Sequence, residues 1–346
     1  MTDMSQLTGK KILITGGAGF IGHNLALQMQ EHGANVIVLD SLQVNNLGFY
    51  TTIYKTDLNS KRYIAFINER LNLLQSANIT VKVNDVREYH AVSNIIEDYA
   101  PDVIVHLAAV SHANRSNKDP YSTFDHSMRT LENVLDASKK HKPHFIFFSS
   151  SMVYGNFGDQ PMHEELECNP IGIYGALKYG AEKLVIAYNQ VFDIPYTIIR
   201  PSALYGERCV SRRVGQAFIE NAIVGKNLSI NGTGEESLDF TYIDDLIQGV
   251  TKCAVNPNSL NQIFNITYGE ARSLNSLAEQ IIKKFPNIKV NRQPRDALMP
   301  ERGTLDISKA RDLLDYQPTY PLEIGFEQYI DWNVQFAKNN EDVFHE

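Results

Sequence analysis

The sequence feature that most constrains the fold is a run of spaced glycines between a strand pattern and a helix pattern. In "ILITGGAGFIGHNLALQMQ", β-branched residues precede Gly16, Gly19 and Gly22, and a helical pattern follows them. Glycines in this order permit a tight turn, a close approach of the backbone to a bound group, and close packing of the helix on the strand. Amides at a helix N-terminus favour negative charge. Residues 16–22 therefore predict a pyrophosphate-binding turn.

Short apolar runs alternate with longer helical patterns through the first two hundred residues. The runs are "KILIT", "NVIVLD", "ITVKVND", "DVIVHLAA", "HFIFFSS" and "YTIIRPS". This alternation is typical of βαβ units, and strands buried on both faces read as continuous apolar stretches, as "VIVH" and "FIFF" do. We predict an α/β fold of the Rossmann type, with a doubly wound parallel sheet of six strands.

The pattern changes after Pro201, where "NGTGEES" indicates a turn and "PRDALMPERG" a loop. We predict a Rossmann domain over residues 1–200, to which a segment at about 238–268 returns. A smaller C-terminal substrate-binding lobe is predicted over residues 201–237 and 269–346.

A long connection follows the second predicted strand. It spans residues 41–78 and contains "YIAFINERLNLL", with Ile64, Ile67, Leu71 and Leu74 at helical spacing. We predict a crossover helix that packs on the sheet.

Composition and charge exclude several classes of protein. The formal net charge is −8, which argues against nucleic acid or an anionic membrane as the main partner. Cys168, Cys209 and Cys253 form no CxxC pair, so neither a disulfide framework nor a metal site is indicated. No apolar run reaches the ~18 residues of a membrane span, and the first residues lack the apolar segment of a signal peptide. We predict a cytoplasmic location.

An acidic residue ends the second predicted strand. Asp40 lies about 20 residues beyond the glycines, where a carboxylate accepts hydrogen bonds from an adenosine ribose. A 2′-phosphate would meet a like charge there, and Ser41 and Leu42 offer no cation, so NAD is favoured over NADP. Asp85 and Val86 end the third strand, where they either flank the adenine or form an ordinary turn. The other residues predicted to line this cofactor site are Phe20, Ile21, Leu107, Ala108 and Ala109.

A tyrosine and a lysine in "YGALK" are four residues apart, so Tyr174 and Lys178 share one face of a helix. Ser150, in "SSSMVYG", ends the fifth strand, at the edge of an α/β sheet where ligands bind. A tyrosine titrates near ~10, and a neighbouring cation favours its phenolate. The spacing predicts that Tyr174 and Lys178 act together in proton transfer. The alternative is chance spacing on an amphipathic helix.

Taken in order, the motifs resemble those of the extended short-chain dehydrogenase/reductase family, specifically its NAD-dependent nucleotide-sugar epimerases and dehydratases. The resemblance spans nearly the whole chain. It implies NAD as cofactor, a nucleoside diphosphate sugar as substrate (a UDP-sugar foremost), and Tyr174 as the base. It further implies that Ser150 is catalytic together with Tyr174 and Lys178, and that Tyr174 and Lys178 also contact the cofactor. It also implies a homodimer that pairs through the helix carrying Tyr174 and the helix after the fourth strand. The matching motifs are "GGAGFIG", "HLAAVSH", "SSSMVYG", "YGALK", "IIRPSALYG", "LDFTYIDD" and "RGTLDISKARDLLDYQP".

The residues after Ser150 bear on the reaction. Dehydratases of this family carry an Asp-Glu pair there, whereas this chain has Ser151 and Met152, and a thioether neither accepts nor donates a proton effectively. The resemblance therefore implies epimerisation at carbon 4 of a hexose or hexuronate through a 4-keto intermediate. The alternatives are a 4,6-dehydratase, a 4-keto reductase, a 4-dehydrogenase, or a non-catalytic NAD-binding regulator, which would have no reason to keep the three catalytic residues together.

The diphosphate of such a substrate requires cations, and the family's usual arginine is replaced by Leu238 in "LDFTYIDD". We predict that Arg213 and Arg302 take this role, chosen from five candidates, and that Ser150, Ser151 and Met152 contact the substrate. The candidates are Arg208, Arg212, Arg213, Arg295 and Arg302. The loop with His112, Asn114 and Arg115 either contacts the substrate or is structural.

Overall fold

A seven-stranded parallel sheet lies at the centre of the computed structural model, which describes residues 3–53, 59–111, 113–158, 160–295 and 299–341. The strands are β1 Lys11–Thr15, β2 Asn35–Asp40, β3 Thr80–Val83, β4 Val103–His106, β5 His144–Phe148, β6 Tyr196–Arg200, β7 Leu204–Tyr205, β8 Leu228–Asn231, β9 Ser237–Leu238, β10 Thr241–Tyr242, β11 Gln262–Asn265, β12 Arg272–Ser273 and β13 Val290–Gln293. The α-helices are α1 Phe20–Glu31, α2 Leu47–Thr52, α3 Ser60–Ser76, α4 Tyr89–Tyr99, α5 Ala113–Lys118, α6 Pro120–Phe124, α7 Thr130–Ala137, α8 Gly172–Phe192, α9 Val214–Ile223, α10 Ile243–Val255, α11 Leu274–Lys284, α12 Ser308–Leu314 and α13 Leu322–Asn339.

The strand order across the main sheet is β11-β6-β5-β4-β1-β2-β3, and every neighbouring pair is parallel. The order changes direction between β1 and β4, which makes the sheet doubly wound and opens a crevice at the carboxyl ends of those strands. The predicted α/β fold is confirmed. The predicted number of six strands is wrong, because β11 adds a seventh from within the segment expected to return to this domain.

Alternate side chains of the central strands face two separate cores, as the two-residue period of a strand requires. Ile12 and Ile14 of β1 pack with α1 and α10, whereas Leu13 packs with α4, α7 and α8. Both faces are covered by helices, which explains why these strands read as continuous apolar runs.

The connection after β2 forms α2 and α3, and the predicted helix is present, but its packing differs from the prediction. Phe66 of α3 packs against Trp332 and Phe336 of α13 in tilted and edge-to-face geometry, with ring centroids 5.1 and 4.8 Å apart. Leu74, one turn from the end of α3, packs in the core that α1 shares with the sheet. Helix α3 therefore contacts α1 and the sheet through Leu74 and contacts α13 through Phe66.

The C-terminal part contains three small two-stranded sheets, in which β7 pairs with β10, β8 with β13, and β9 with β12. Helix α10 returns to α1, where Thr251 donates a hydrogen bond to Gln28 over 2.9 Å. The division into two domains at the predicted boundaries stays a prediction. Within the described ranges, none of the helices combines the length and the apolar character that crossing a membrane requires.

Candidate active site and cofactor cavity

The glycine turn after β1 has no room for larger side chains. Gly16 has φ +69°, and a Cβ atom there would lie 2.9 Å from the backbone of Leu107 and Ala108. A Cβ atom at Gly22 would lie 2.5 Å from Gly17, so this glycine lets α1 approach the turn. Gly19 precedes the first residue of α1, and the amides of that first turn have no helical acceptor. The turn thus forms an anion-binding cradle, as its sequence predicts.

A cavity of about 160 Å³, here called the smaller cavity, opens over this turn. Eleven residues predicted to hold the cofactor line it. They are Gly16, Gly19, Phe20, Ile21, Gly22, Asp40, Asp85, Val86, Leu107, Ala108 and Ala109.

Asp40 is held rigidly at the end of β2. Its carboxylate accepts hydrogen bonds from the amides of Ala18, over 3.0 Å, and Leu42, over 2.8 Å. Burial raises the pKa of Asp40, whereas these two bonds and the charge of Arg70 favour the ionised form. Each carboxylate oxygen keeps a second lone pair, so Asp40 can still accept ribose hydroxyls.

Asp85 forms part of an ion-pair chain at the other end of the smaller cavity. Arg87 contacts Asp85 and Asp125, each over 2.7 Å. Burial opposes ionisation of Asp85, but the hydrogen bonds and charge of Arg87 outweigh it and lower the pKa of Asp85. Val86 beside it is buried and apolar, which suits the face of a base. Their role in adenine binding stays a prediction.

A larger cavity of about 1020 Å³ adjoins the smaller one, and Ile21, Leu107 and Ala109 line both. The predicted catalytic and substrate-contacting residues all line the larger cavity. They are Ser150, Ser151, Met152, Tyr174, Lys178, Arg213 and Arg302.

Ser150 and Tyr174 come together because β5 is followed by a short 3₁₀ helix, Ser151–Tyr154, which lies beside α8. The Ser150 hydroxyl caps that helix by accepting from the Met152 amide over 3.2 Å. Burial raises the pKa of Tyr174, while the charges of Arg213 and Arg302 and a hydrogen bond with Ser150 oppose the rise. The phenol therefore lies in a pocket where cations assist its ionisation.

Lys178 lies one turn further along α8, but its ammonium is directed to the sheet. It donates to the carbonyl oxygen of Phe148 over 2.6 Å and lies 5.0 Å from the ring centroid of Phe147. Burial lowers the pKa of Lys178 to about 8, and Glu182 partly opposes this. The sequence argument assigned the cation beside the phenol to Lys178. In the structure, Arg213 and Arg302 exert that effect on the pKa of Tyr174.

Glu182 lies one turn beyond Lys178 on α8, and its buried carboxylate has hydrogen-bond partners of its own. Arg200 of β6 contacts Glu182 over 2.7 Å, and the Ser149 hydroxyl donates to the same carboxylate. Because Arg200 and Ser149 already occupy this carboxylate, Lys178 keeps its hydrogen bond to the Phe148 carbonyl oxygen and forms no ion pair with Glu182 among the described residues.

Arg302 reaches the floor of the larger cavity. Its guanidinium donates to the hydroxyls of Ser151, over 3.0 Å, and Ser202, over 2.6 Å. Its Nε atom is buried and has no partner among the described residues. Burial lowers the pKa of Arg302 to about 10, with the charge of Arg213 acting in the same direction. Two guanidinium groups close enough to repel each other are suited to an anionic ligand.

The other candidate arginines differ in availability. Arg208 is not among the residues lining either cavity, because it contacts Glu69 over 3.0 Å and His23 over 3.2 Å. Arg212 and Arg295 line the larger cavity, but each is near a carboxylate, Glu220 at 3.3 Å and Glu301 at 3.5 Å.

The sequence leaves two roles for the loop after β4, contact with the substrate or a structural role. His112 and the Asn114 side chain lie outside the described residues. Arg115 lies over the ring of Phe49, 5.2 Å from its centroid, which is a packing contact.

Sequence reasoning missed Arg70 and His126, which also line the smaller cavity. Arg70 occupies the buried face of α3 between Ile67 and Leu74, and a cation at a core position of an amphipathic helix was the signal that could have found it. The sequence argument found no cation near Asp40, and the charge of Arg70 is close enough to Asp40 to correct that argument.

Across the described ranges, no group of three or more His, Cys, Asp or Glu side chains is arranged to hold a metal ion.

Comparison with known proteins agrees with this geometry. The family model for the NAD dependent epimerase/dehydratase family matches residues 12–267. The chain belongs to this family. NAD is accordingly its cofactor, and the glycine cradle, the Asp40 carboxylate and the buried cation of Arg70 fit that dinucleotide.

Relatives in this family cover nearly the whole chain. An uncharacterised UDP-glucose epimerase of Bacillus subtilis, YtcB, is 31% identical and covers 92% of this chain and 96% of its own length. A dTDP-D-glucose 4,6-dehydratase of Dictyostelium discoideum is 30% identical over 84% of this chain and 64% of its own.

A solved structure shares the fold across both chains. The UDP-glucuronic acid 4-epimerase of Bacillus cereus, crystallised with UDP-glucuronic acid and NAD, has a TM-score of 0.82 and 28% identity. The alignment covers 94% of this chain and 99% of that one. The resemblance inferred from the motifs is confirmed, and this protein is an enzyme of the nucleotide-sugar epimerase and dehydratase family.

Proposed function

We propose that this enzyme is an NAD-dependent epimerase that inverts carbon 4 of a UDP-activated hexose or hexuronate through a transient 4-keto sugar. The observation that carries the proposal is the pairing of Tyr174 with Ser150, Ser151 and Met152 at one wall of the larger cavity. The wall holds a base and a hydroxyl, but the two positions after Ser150 provide no acid-base pair for expelling water. Epimerisation needs no such pair.

The residues divide the chemistry between them. Tyr174 takes the proton of the 4-hydroxyl, and Ser150 hydrogen-bonds the same oxygen and orients it. Lys178 keeps a buried positive charge one turn further along α8, at the carbonyl oxygen of Phe148, while Arg213 and Arg302 are the cations that favour ionisation of the phenol. NAD, when bound, takes up and returns the electrons of carbon 4. The cavity is wide enough, at about 1020 Å³, for the keto sugar to turn and present its other face.

We propose that Arg213 and Arg302 hold the diphosphate. Arg213 lines both cavities and donates to the carbonyl oxygen of Ser111 over 3.4 Å, a long bond that an anionic ligand can replace. The unpartnered Nε of Arg302 offers a second donor. Together they supply the charge that Leu238 does not.

We also propose a homodimer in the cytoplasm, where the three free cysteines would stay reduced. Helix α7 is a weaker interface candidate than expected, because Leu131, Val134 and Leu135 pack inside the monomer. Exposed apolar side chains lie instead on α6 and α8, with Phe124 53% and Val191 68% exposed.

Light scattering at micromolar concentration should give twice the chain mass of 39.1 kDa for the proposed dimer. Phe124→Glu with Val191→Glu should shift the mass to one chain, because a charge in an apolar interface is costly. A wild-type mass of one chain would contradict the dimer.

The reaction itself is tested by the mass of the product. Purified protein incubated with UDP-glucose or UDP-glucuronate should yield an isomer of unchanged mass with carbon 4 inverted in the proton NMR spectrum. Loss of one water would identify a 4,6-dehydratase, for which the Dictyostelium relative sets the precedent. Net reduction or oxidation of the sugar would identify a reductase or dehydrogenase.

A further inference from the structure

Arg70 is the largest fully buried side chain in the structure's described residues, and its hydrogen bonds to the protein leave one terminal nitrogen unused. It extends from the buried face of α3, between Phe66 and Leu74. Its Nε and one terminal nitrogen both donate to the carbonyl oxygen of Arg208, the first over 3.0 Å. Its other terminal nitrogen is buried and has no hydrogen-bond partner among the described residues.

The charge of Arg70 is poorly compensated. Among the described residues it forms no ion pair with an acidic side chain, although Asp40 is near enough to favour its charged form. Burial lowers the pKa of Arg70 to about 10, and the neighbouring cation Arg208 acts in the same direction. A buried guanidinium in such surroundings costs free energy unless an anion approaches it.

The position of Arg70 indicates which anion. It lines the smaller cavity together with Gly16 and Gly19 of the anion-binding turn and with Asp40. Asp40 is already bound by two amides and has its remaining lone pairs for hydroxyls. Arg70 thus shares one cavity with the place for ribose hydroxyls and the place for phosphates, and of these two groups only the phosphates are anionic.

We propose that the unpartnered nitrogen of Arg70 binds a phosphate oxygen of the NAD pyrophosphate. This inference rests on the placement of NAD at the glycine turn. Arg70 then adds a cation to the backbone amides of the glycine turn, and it does so from a helix outside the strand-turn-helix unit.

The same side chain contacts the wall shared by the two cavities. In this wall, Cys209 and Arg212 line the larger cavity, Val210 and Ser211 the smaller one, and Arg213 both. Arg208, which precedes the wall, and Arg212 within it have φ values of +61° and +46°. Such backbone is strained in non-glycine residues and persists only where tertiary contacts hold it. Arg70 supplies one of those contacts and Tyr50 another, through its hydroxyl and the carbonyl oxygen of Val210, over 2.7 Å. One guanidinium thus links the bound phosphate to the wall that carries Arg213.

The test compares ligands with and without the pyrophosphate. Calorimetric titration of the full chain, freed of nucleotide, gives dissociation constants for ADP-ribose and for adenosine. Arg70→Met should weaken ADP-ribose binding by about 30-fold, as expected for a charge-assisted hydrogen bond, and adenosine binding by less than about 3-fold. Equal losses for the two ligands, or no loss for either, would overturn the proposal.

Two further variants separate binding from folding. Arg62→Met removes another buried arginine of α3, one that lies 3.9 Å from Glu220, and it should leave the ratio of the two dissociation constants unchanged.

Arg70→Lys keeps the charge, but its single nitrogen cannot serve both the Arg208 carbonyl oxygen and a phosphate. An intermediate loss of affinity, confined to ADP-ribose, is therefore expected even if Arg70→Met does not fold. Unchanged ADP-ribose affinity in Arg70→Lys, together with equal losses for both ligands in any folded neutral variant, contradicts the assignment. Failure of the wild-type chain to bind ADP-ribose would instead refute the NAD placement.

Discussion

Tyr174→Phe should lower kcat by about 10³-fold or more and leave the affinity for the nucleotide sugar within about threefold. The substitution removes one oxygen from a side chain that lines the larger cavity beside Ser150. The ring that packs at the start of α8 is kept. A proton acceptor is lost without loss of the binding surface, so the deficit should appear in kcat and not in KM.

Single-turnover measurement of Tyr174→Phe with each UDP-sugar separates the chemical step from product release. Tyr179→Phe is the matched control, because Tyr179 lies on the same helix but packs in a small cluster with Val153 and Leu305. It should retain turnover within about threefold. Near-normal turnover of Tyr174→Phe would refute the assignment of the base.

Lys178→Met should abolish most activity and at the same time stabilise the nucleotide-free protein at pH 7. The pKa of Lys178 is lowered by burial from 10.5 to about 8, so the protonated side chain destabilises the folded state by up to about 3 kcal/mol. Methionine has a similar shape and no charge. After subtracting about 1 kcal/mol for the lost bond to the Phe148 carbonyl oxygen, a gain of about 1–2 kcal/mol is expected.

The pH dependence of that gain follows from the direction of the shift. Below pH 8, Lys178 is protonated in the folded and unfolded chains, and the penalty is fully present. Between pH 8 and 10.5 the unfolded chain binds more protons, so the wild-type protein becomes more stable and the advantage of Lys178→Met disappears.

Thermal melting of both proteins at several pH values measures the advantage of Lys178→Met. Lys183→Met, which removes an exposed lysine of α8 that lies over Tyr179, is the control and should show no such pH dependence. A lower melting temperature for Lys178→Met at every pH would contradict the buried, uncompensated charge.

Much of the fold could be predicted because local and tertiary requirements coincide. The apolar runs that became β1 to β6 satisfy burial on both faces of the sheet, and Gly16 and Gly22 stand where a Cβ atom would collide with the backbone. Strand β11 escaped prediction because it is only four residues long and begins and ends with amide side chains, Gln262 and Asn265. Its pairing with β6 is what makes it a strand.

Partners distant in sequence limited the prediction of the site. The motifs brought Ser150, Tyr174 and Lys178 to one cavity, since each follows from a strand end or a helical repeat. The acceptor of the Lys178 ammonium lies 30 residues away, and the carbonyl oxygen that Arg70 holds lies 138 residues away. No periodic pattern in the sequence encodes such contacts, yet they determine the direction of the Lys178 ammonium and of the Arg70 guanidinium.

The most direct test of the account uses a UDP-sugar that carries deuterium at carbon 4. Incubated with the enzyme in ordinary water, this substrate should give an epimer of unchanged mass, with the deuterium still at carbon 4 and the configuration there inverted. That result requires removal and return of the same hydrogen nucleus within one active site. Exchange of the label with solvent, its appearance at another carbon, or loss of water would contradict a 4-epimerase.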